Sequence, residues 1–206
     1  MKITIMRDQL IAALCTAGKT DVRFYLNGVY LEATNTETRL ISTNGAVLSL
    51  QRADAKGENE VVGVIRMTIP RSAIEKVKNH KILRTIEIND DGGKWGVVDF
   101  ATRTNFEPVD GSFPDYRRII PLAPSGEAGQ FDPELIALFA KAATALGATV
   151  KSKPIVAIKH NGTGGALVSL GRDTEYIGVI YPFRVQPPAT PPAWAMTVLE
   201  AQEELV

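Results

Sequence analysis

One order of elements recurs three times along the 206 residues, so the chain reads as three copies of one small unit. The first copy opens on an alternating strand at 2–5 and continues as a helical pattern at 7–17, where Leu10, Ile11, Leu14 and Cys15 fall at helical spacing and Gly18 ends it. Strand-like runs follow at 22–33, 39–43 and 47–51, separated by Thr34-Asn35-Thr36-Glu37 and by the tight-turn pair Asn44-Gly45. The second copy has an apolar strand at 61–69. Pro70 then opens a helix to about Lys81 with Ile74 and Val77 facing inward, followed by runs at 85–89, 94–101 and 102–109 with a turn at Asp90-Asp91-Gly92-Gly93. The third starts near Gln130, with Asp132 as N-cap and Pro133 in the first turn of a helix at 134–146 stopped by Gly147. Its strands are expected at 155–159, 166–170 and 176–181. Strand, helix and three strands thus repeat at a period of about 60 residues, which predicts an α+β fold.

Composition narrows the setting. Lysine and arginine number 23 against 23 aspartate and glutamate, so any grip on a polyanion must come from charges gathered on one face. A single cysteine leaves no internal disulfide and favours a reducing compartment, the cytoplasm. No apolar run has the ~18 residues of a membrane helix, and the first residues lack the apolar core of a signal peptide. Residues 122–129, with Pro124, Ser125, Gly126 and Gly129, have linker composition. Pro187, Pro188, Pro191 and Pro192 make a stiff spacer before a short amphipathic tail in which Trp194, Val198 and Leu205 share a face with Ala201. The expected domains are 1–121, made of modules 1–60 and 61–121, then a half-domain at 128–185, then the linker and tail at 186–206.

Phe113-Pro114-Asp115-Tyr116-Arg117-Arg118-Ile119-Ile120-Pro121, preceded by Val109-Asp110-Gly111, resembles the interdomain signature of the bacterial DNA polymerase III β subunit, the sliding clamp. Residues 21–28, 42–48 and 181–185 add three further motifs in the family's order. The resemblance covers 3–121, similar to the clamp's middle domain, and 129–185, similar to the second half of its last domain. It implies the DNA-clamp fold: strand-helix-three-strand modules with antiparallel sheets outside and helices on one face, surrounding duplex DNA. By that resemblance the chain is a non-enzymatic processivity factor without cofactor or metal. Its implied partners are duplex DNA, polymerase subunits or repair proteins that dock a short linear motif, a clamp loader, and further copies of itself.

The resemblance also implies two sites. Duplex DNA would be held without reading sequence by basic side chains of the helices, here Arg7, Lys19, Arg71, Lys76, Lys78, Lys81 and Lys141. The alternative is that these are the solvated face of amphipathic helices, with lysines near a C-terminus favoured by the dipole. A peptide pocket would be walled by Leu26, Thr43, Gly45, Leu48, Pro114, Arg118 and Ile119 from the first domain and by Val179, Ile180, Tyr181, Pro182, Phe183 and Arg184 from the second. Ala46 and Val47 stand where the family has bulkier polar or basic residues, which predicts a shallower, more apolar pocket. The alternative is that Phe113, Tyr116, Leu26 and Leu48 are plain packing residues.

Features that invite an enzyme reading have local explanations. His80 and His160 lie in no metal-ligand pattern. Asp90-Asp91-Gly92-Gly93 and Gly162-Thr163-Gly164-Gly165 sit between strands, where a phosphate loop would have to enter a helix. Cys15 falls on an apolar stripe. An odd module raises a packing question instead. In the family each domain pairs two modules about one core, so the resemblance implies that Leu135, Ile136, Leu138, Phe139 and Leu146 lack a partner helix within the chain, and two solutions present themselves. Either two third modules pair across a twofold axis, or residues 194–206 fold back over them; if the ring of the family it resembles holds twelve modules, four chains of three would match the count.

Overall fold

The computed structural model describes residues 1–53, 59–77, 84–99, 102–173, 175–183, 191 and 195. Lys78, His80, Lys81 and Arg184 lie outside the described residues, as does the tail at 196–206.

The chain runs β1 (Lys2–Met6), α1 (Arg7–Thr16), β2 (Gly28–Ala33), β3 (Thr38–Thr43), β4 (Val47–Arg52), β5 (Ile65–Pro70), α2 (Arg71–Ile74), β6 (Thr85–Asp91), β7 (Lys94–Asp99) and β8 (Thr102–Phe106). There follow α3 (Pro133–Ala145), a small β9 (Thr149–Val150) and β10 (Lys153–Pro154) pair, and β11 (Val156–Lys159), β12 (Ala166–Leu170) and β13 (Tyr176–Ile180). Two antiparallel sheets carry the fold: four strands in the order β1-β6-β7-β8, and seven in the order β11-β12-β13-β4-β3-β2-β5. The opening strands are exchanged, since β1 pairs with β6 of the second unit and β5 with β2 of the first. That exchange ties the first two units into one core of Ile3, Leu10, Leu31, Ile69, Ile74 and Ile88.

Local chemistry explains where the elements stop. Asp132 accepts the Glu134 amide at 2.8 Å and Pro133 fills the first turn of α3, while Gly147 takes φ 70° beyond its end. Gly92 and Gly93, at φ 60° and 85°, make the two-residue turn between β6 and β7. The run expected at 22–33 is interrupted: Phe24–Leu26 forms a 3-10 turn and the strand begins at Gly28. Asn27 is the cause, because its side chain donates to Asp21 O and accepts from Asp21 N, both at 2.9 Å, closing a loop that a strand cannot contain. The second helix is one turn, not the expected three, and Val77 already lies outside it. After Ile74, Glu75 and Lys76 are exposed and only Val77 packs on the core, too little burial to carry the helix through 75–77.

The third unit departs most from expectation. Its opening segment forms no strand; it runs beside the β11–β12 end through Gly126 N to His160 O (3.0 Å), Gly162 N to Glu127 O (2.8 Å) and Phe183 N to Gln130 O (2.8 Å). Its helix does have a partner within the chain. β13 hydrogen-bonds to β4, so the third unit continues the first unit's sheet and sets α3 beside α1. Phe139 is fully buried with Ala12, Val47, Ala166, Leu170 and Tyr176, and Leu135, Ile136, Leu138 and Leu146 pack around them half-buried. α1 therefore serves two cores, Leu10 and Leu14 in one and Ala12 in the other. Neither a second copy nor the tail is needed to cover α3.

Candidate functional site

The seam between β4 and β13 brings together residues more than a hundred positions apart. Leu48 stands opposite Val179 and Val47 opposite Ile180, and strand alternation sends these pairs to opposite faces. Leu48 and Val179 face outward with Ile41 and are covered by residues 113–120, a strap laid across the sheet. Val47 and Ile180 face inward under α3. Phe113 stacks on Tyr30 with ring centres 4.6 Å apart and planes at 4°, and Tyr116 is buried against the same floor. Pro114, Arg118 and Ile119 remain exposed on the strap.

One end of the seam is a pinned turn. Thr43 Oγ1 donates to Val47 O at 2.5 Å and accepts from Gly45 N at 3.0 Å, and Asn44 Oδ1 accepts from Ala46 N and Val47 N at 3.0 Å. Gly45 has φ 91°, a conformation that favours glycine, and a Cβ there would lie 2.6 Å from Arg23 Nη2 and displace that guanidinium. The Arg23 guanidinium, hydrogen-bonded to Asp21, holds that carboxyl down at about 2. Past β13, Tyr181 N donates to Ala46 O at 3.1 Å and Phe183 N to Gln130 O at 2.8 Å, leaving Tyr181 and Phe183 40% and 51% exposed.

The candidate pocket residues therefore divide. Gly45, Pro114, Arg118, Ile119, Tyr181 and Phe183 offer exposed surface; Thr43, Leu48 and Val179 form the buried support beneath; Pro182 is half-buried. Ile180 and Leu26 are core residues by burial, the latter accepting Gly18 N through its carbonyl at 2.9 Å. Val47, expected to make the pocket more apolar, points away from it.

The candidate DNA residues divide similarly. Lys19, Lys76 and Lys141 are exposed. Arg7 pairs with Asp8 at 2.7 Å with its side chain 15% exposed. Arg71 does other work: Nη2 donates to Leu14 O and Ala17 O at 3.0 and 2.9 Å, and Nε to Gly18 O at 3.0 Å, so it caps the C-terminus of α1. His160 Nδ1 accepts the Gly129 amide at 3.1 Å, a structural bond. Burial pushes the Cys15 thiol up, as befits an inert core thiol. Among the described residues no three His, Cys, Asp or Glu side chains are placed to hold a metal, and no helix is long and apolar enough to cross a membrane.

Glu32, Arg117 and Arg39 are not among the candidate site residues of the sequence, yet they tie the strap down: Glu32 accepts from Tyr116 and Arg117 of the strap, and Arg39 bonds the Tyr116 hydroxyl. The available signal was the half-exposed alternation of Tyr30 and Glu32 on β2 opposite an arginine-rich strap.

Solved structures share this architecture. The DNA polymerase III subunit beta of Pseudomonas aeruginosa superposes with a TM-score of 0.65 at 18% identity, covering 90% of this chain and 67% of that one. The β subunit of Thermotoga maritima does so at 0.67 and 14%, covering 90% and 66%. The chain has the bacterial sliding-clamp fold. Clamp sequences align over part of it: 33% identity over 110 residues to the β sliding clamp of Proteus mirabilis, 51% of this chain and 29% of that one. The β sliding clamp of Escherichia coli gives 30% over 127 residues, 58% and 32%. The matched region thus spans about a third of those clamps' length. No family model matches the chain.

Proposed function

We propose that this clamp-fold chain is a non-enzymatic replication accessory of the sliding-clamp type, working in the cytoplasm as an oligomer with a clamp loader among its partners. It holds duplex DNA through cations on its helical side and docks short peptides of polymerase subunits or repair proteins in the cleft between the 43–46 turn, the 113–120 strap and residues 181–183. The observation that carries this reading is the meeting of those three segments at one seam: Tyr116 of the strap packs on Leu48 and Val179, Tyr181 is hydrogen-bonded to Ala46, and Ile119, Tyr181 and Phe183 are left exposed. Apolar anchors with a few directing polar groups suit a short peptide, and Arg118 supplies a direction.

The test is fluorescence anisotropy with a labelled pentapeptide bearing leucine and phenylalanine anchors. Pro182→Ala with Phe183→Ala should weaken its binding about tenfold, ~1.4 kcal/mol. Undiminished affinity in the double variant would place the docking site elsewhere.

A second reading has an observation of its own. Arg7 and Arg71 are committed within the chain, leaving Lys19, Lys76 and Lys141 as the exposed candidates among the described residues. A thin cationic face favours an adaptor that keeps the peptide cleft and does not retain DNA.

A further inference from the structure

Glu32 on β2 lies outside every residue assigned to the cleft, yet the strap is tied to it. Its side chain is 12% exposed and receives donors from two directions. Tyr116 Oη donates to Oε2 at 2.9 Å and Arg117 Nη2 to the same oxygen at 3.0 Å, both from the strap. Arg66 Nε, from β5, approaches Oε1 at 3.4 Å. Burial pushes the Tyr116 phenol up against the pull of Arg39, so it remains a protonated donor. The Arg117 guanidinium lies 4.5 Å over the Tyr116 ring, so the two strap donors also brace each other.

These bonds fix the middle of a short segment whose neighbours, Pro114, Arg118 and Ile119, are the strap's contribution to the cleft. Tyr116–Ile119 is a single 3-10 turn, so a rotation about its middle carries Arg118 and Ile119 with it. Its apolar anchors, Phe113 on Tyr30 and Tyr116 in the cluster with Ile41, Leu48 and Val179, hold the strap to the sheet by contacts that carry little direction. A charge-assisted pair of bonds to one half-buried carboxylate, with Arg39 bonded to the same Tyr116 hydroxyl, supplies that direction.

We propose that Glu32 is the positioning residue of the peptide cleft, acting through Tyr116 and Arg117 to hold the 113–120 strap in its docking-competent position. This rests on the peptide-docking reading. Loss of the carboxylate charge lowers the fraction of chains with a competent strap, and apparent affinity falls in proportion to that fraction. Such an effect appears in the association rate, whereas removing a side chain that touches the peptide appears in dissociation.

The experiment follows the labelled pentapeptide by stopped flow against the wild type, Glu32→Gln, Arg117→Gln, the double variant and Phe183→Ala, with amide hydrogen exchange on each. Glu32→Gln should slow association about fivefold at unchanged dissociation rate and speed exchange within 113–120 while α3 keeps its protection. The loss in the double variant should be smaller than the sum of the two single losses, because each single already cuts the Glu32–Arg117 pair. Phe183→Ala weakening the peptide while Glu32→Gln leaves it unchanged would overturn the role of Glu32 alone. Faster dissociation from Glu32→Gln without change in strap exchange would overturn it too. Absence of saturable binding to the wild type would overturn the docking reading and this inference with it.

Discussion

Phe139→Ala is expected to cost about 3–5 kcal/mol of folding stability, the range for deleting a fully buried phenylalanine. That is a large share of the roughly 5–15 kcal/mol available to a domain. Phe139 is 0% exposed, and its ring edge comes so close to Gly178 that a Cβ there would meet it at 2.5 Å. The ring fills the space between α3, β12 and β13 and also joins the cluster containing Ala12 of α1. Its loss therefore loosens the attachment of the third unit to the first. Urea unfolding followed by circular dichroism at two protein concentrations separates this account from its rival. Destabilisation independent of concentration is expected when the partner helix is α1; a cost that shrinks as the protein is concentrated would mean that a second copy covers α3.

Arg71→Ala is expected to destabilise by about 2–4 kcal/mol, because bonds from a charged donor are worth ~1.5–3 kcal/mol each and are not additive. The guanidinium serves the carbonyls of Leu14, Ala17 and Gly18 with its side chain 16% exposed, and Glu75 at 3.2 Å steadies it. Removing it orphans the end of α1 at the place where the chain turns toward the loop carrying Asp21, Arg23 and Leu26. Arg71→Lys should recover less than half of the loss, since an ammonium cannot present the fork that reaches all three carbonyls. Thermal denaturation measures both variants. Unchanged stability in Arg71→Ala would return this arginine to the DNA-binding set.

The repeated order of elements was readable because each signal is local. Asp132-Pro133 and Gly147 bound α3 through contacts within one turn, and Asn44-Gly45 and Gly92-Gly93 make their turns by backbone preference alone. What was not readable lies across long separations. Asn27 closes its loop onto Asp21, interrupting a run whose composition is that of a strand. The pairing of β13 with β4 decides that α3 rests on α1, and nothing near either strand in sequence announces it. In the cleft, motif similarity draws both Val179 and Ile180 into one wall, although a strand's period of two places them on opposite faces. That alternation was the available correction. Arg71 looks like a DNA cation in the sequence because its charge is visible there and the three carbonyls it serves are not.

The claim that this chain holds duplex DNA on its helical side is tested most directly by the salt dependence of its binding to a linear duplex, compared with the Lys19→Glu, Lys76→Glu, Lys141→Glu variant. The account predicts binding that weakens steeply with salt, and a log–log slope reduced by about 3 in the variant, near 0.9 for each phosphate that is no longer neutralised. An unchanged slope, or a wild type that does not associate with duplex at low salt, would contradict it and leave the peptide-binding adaptor as the reading that stands.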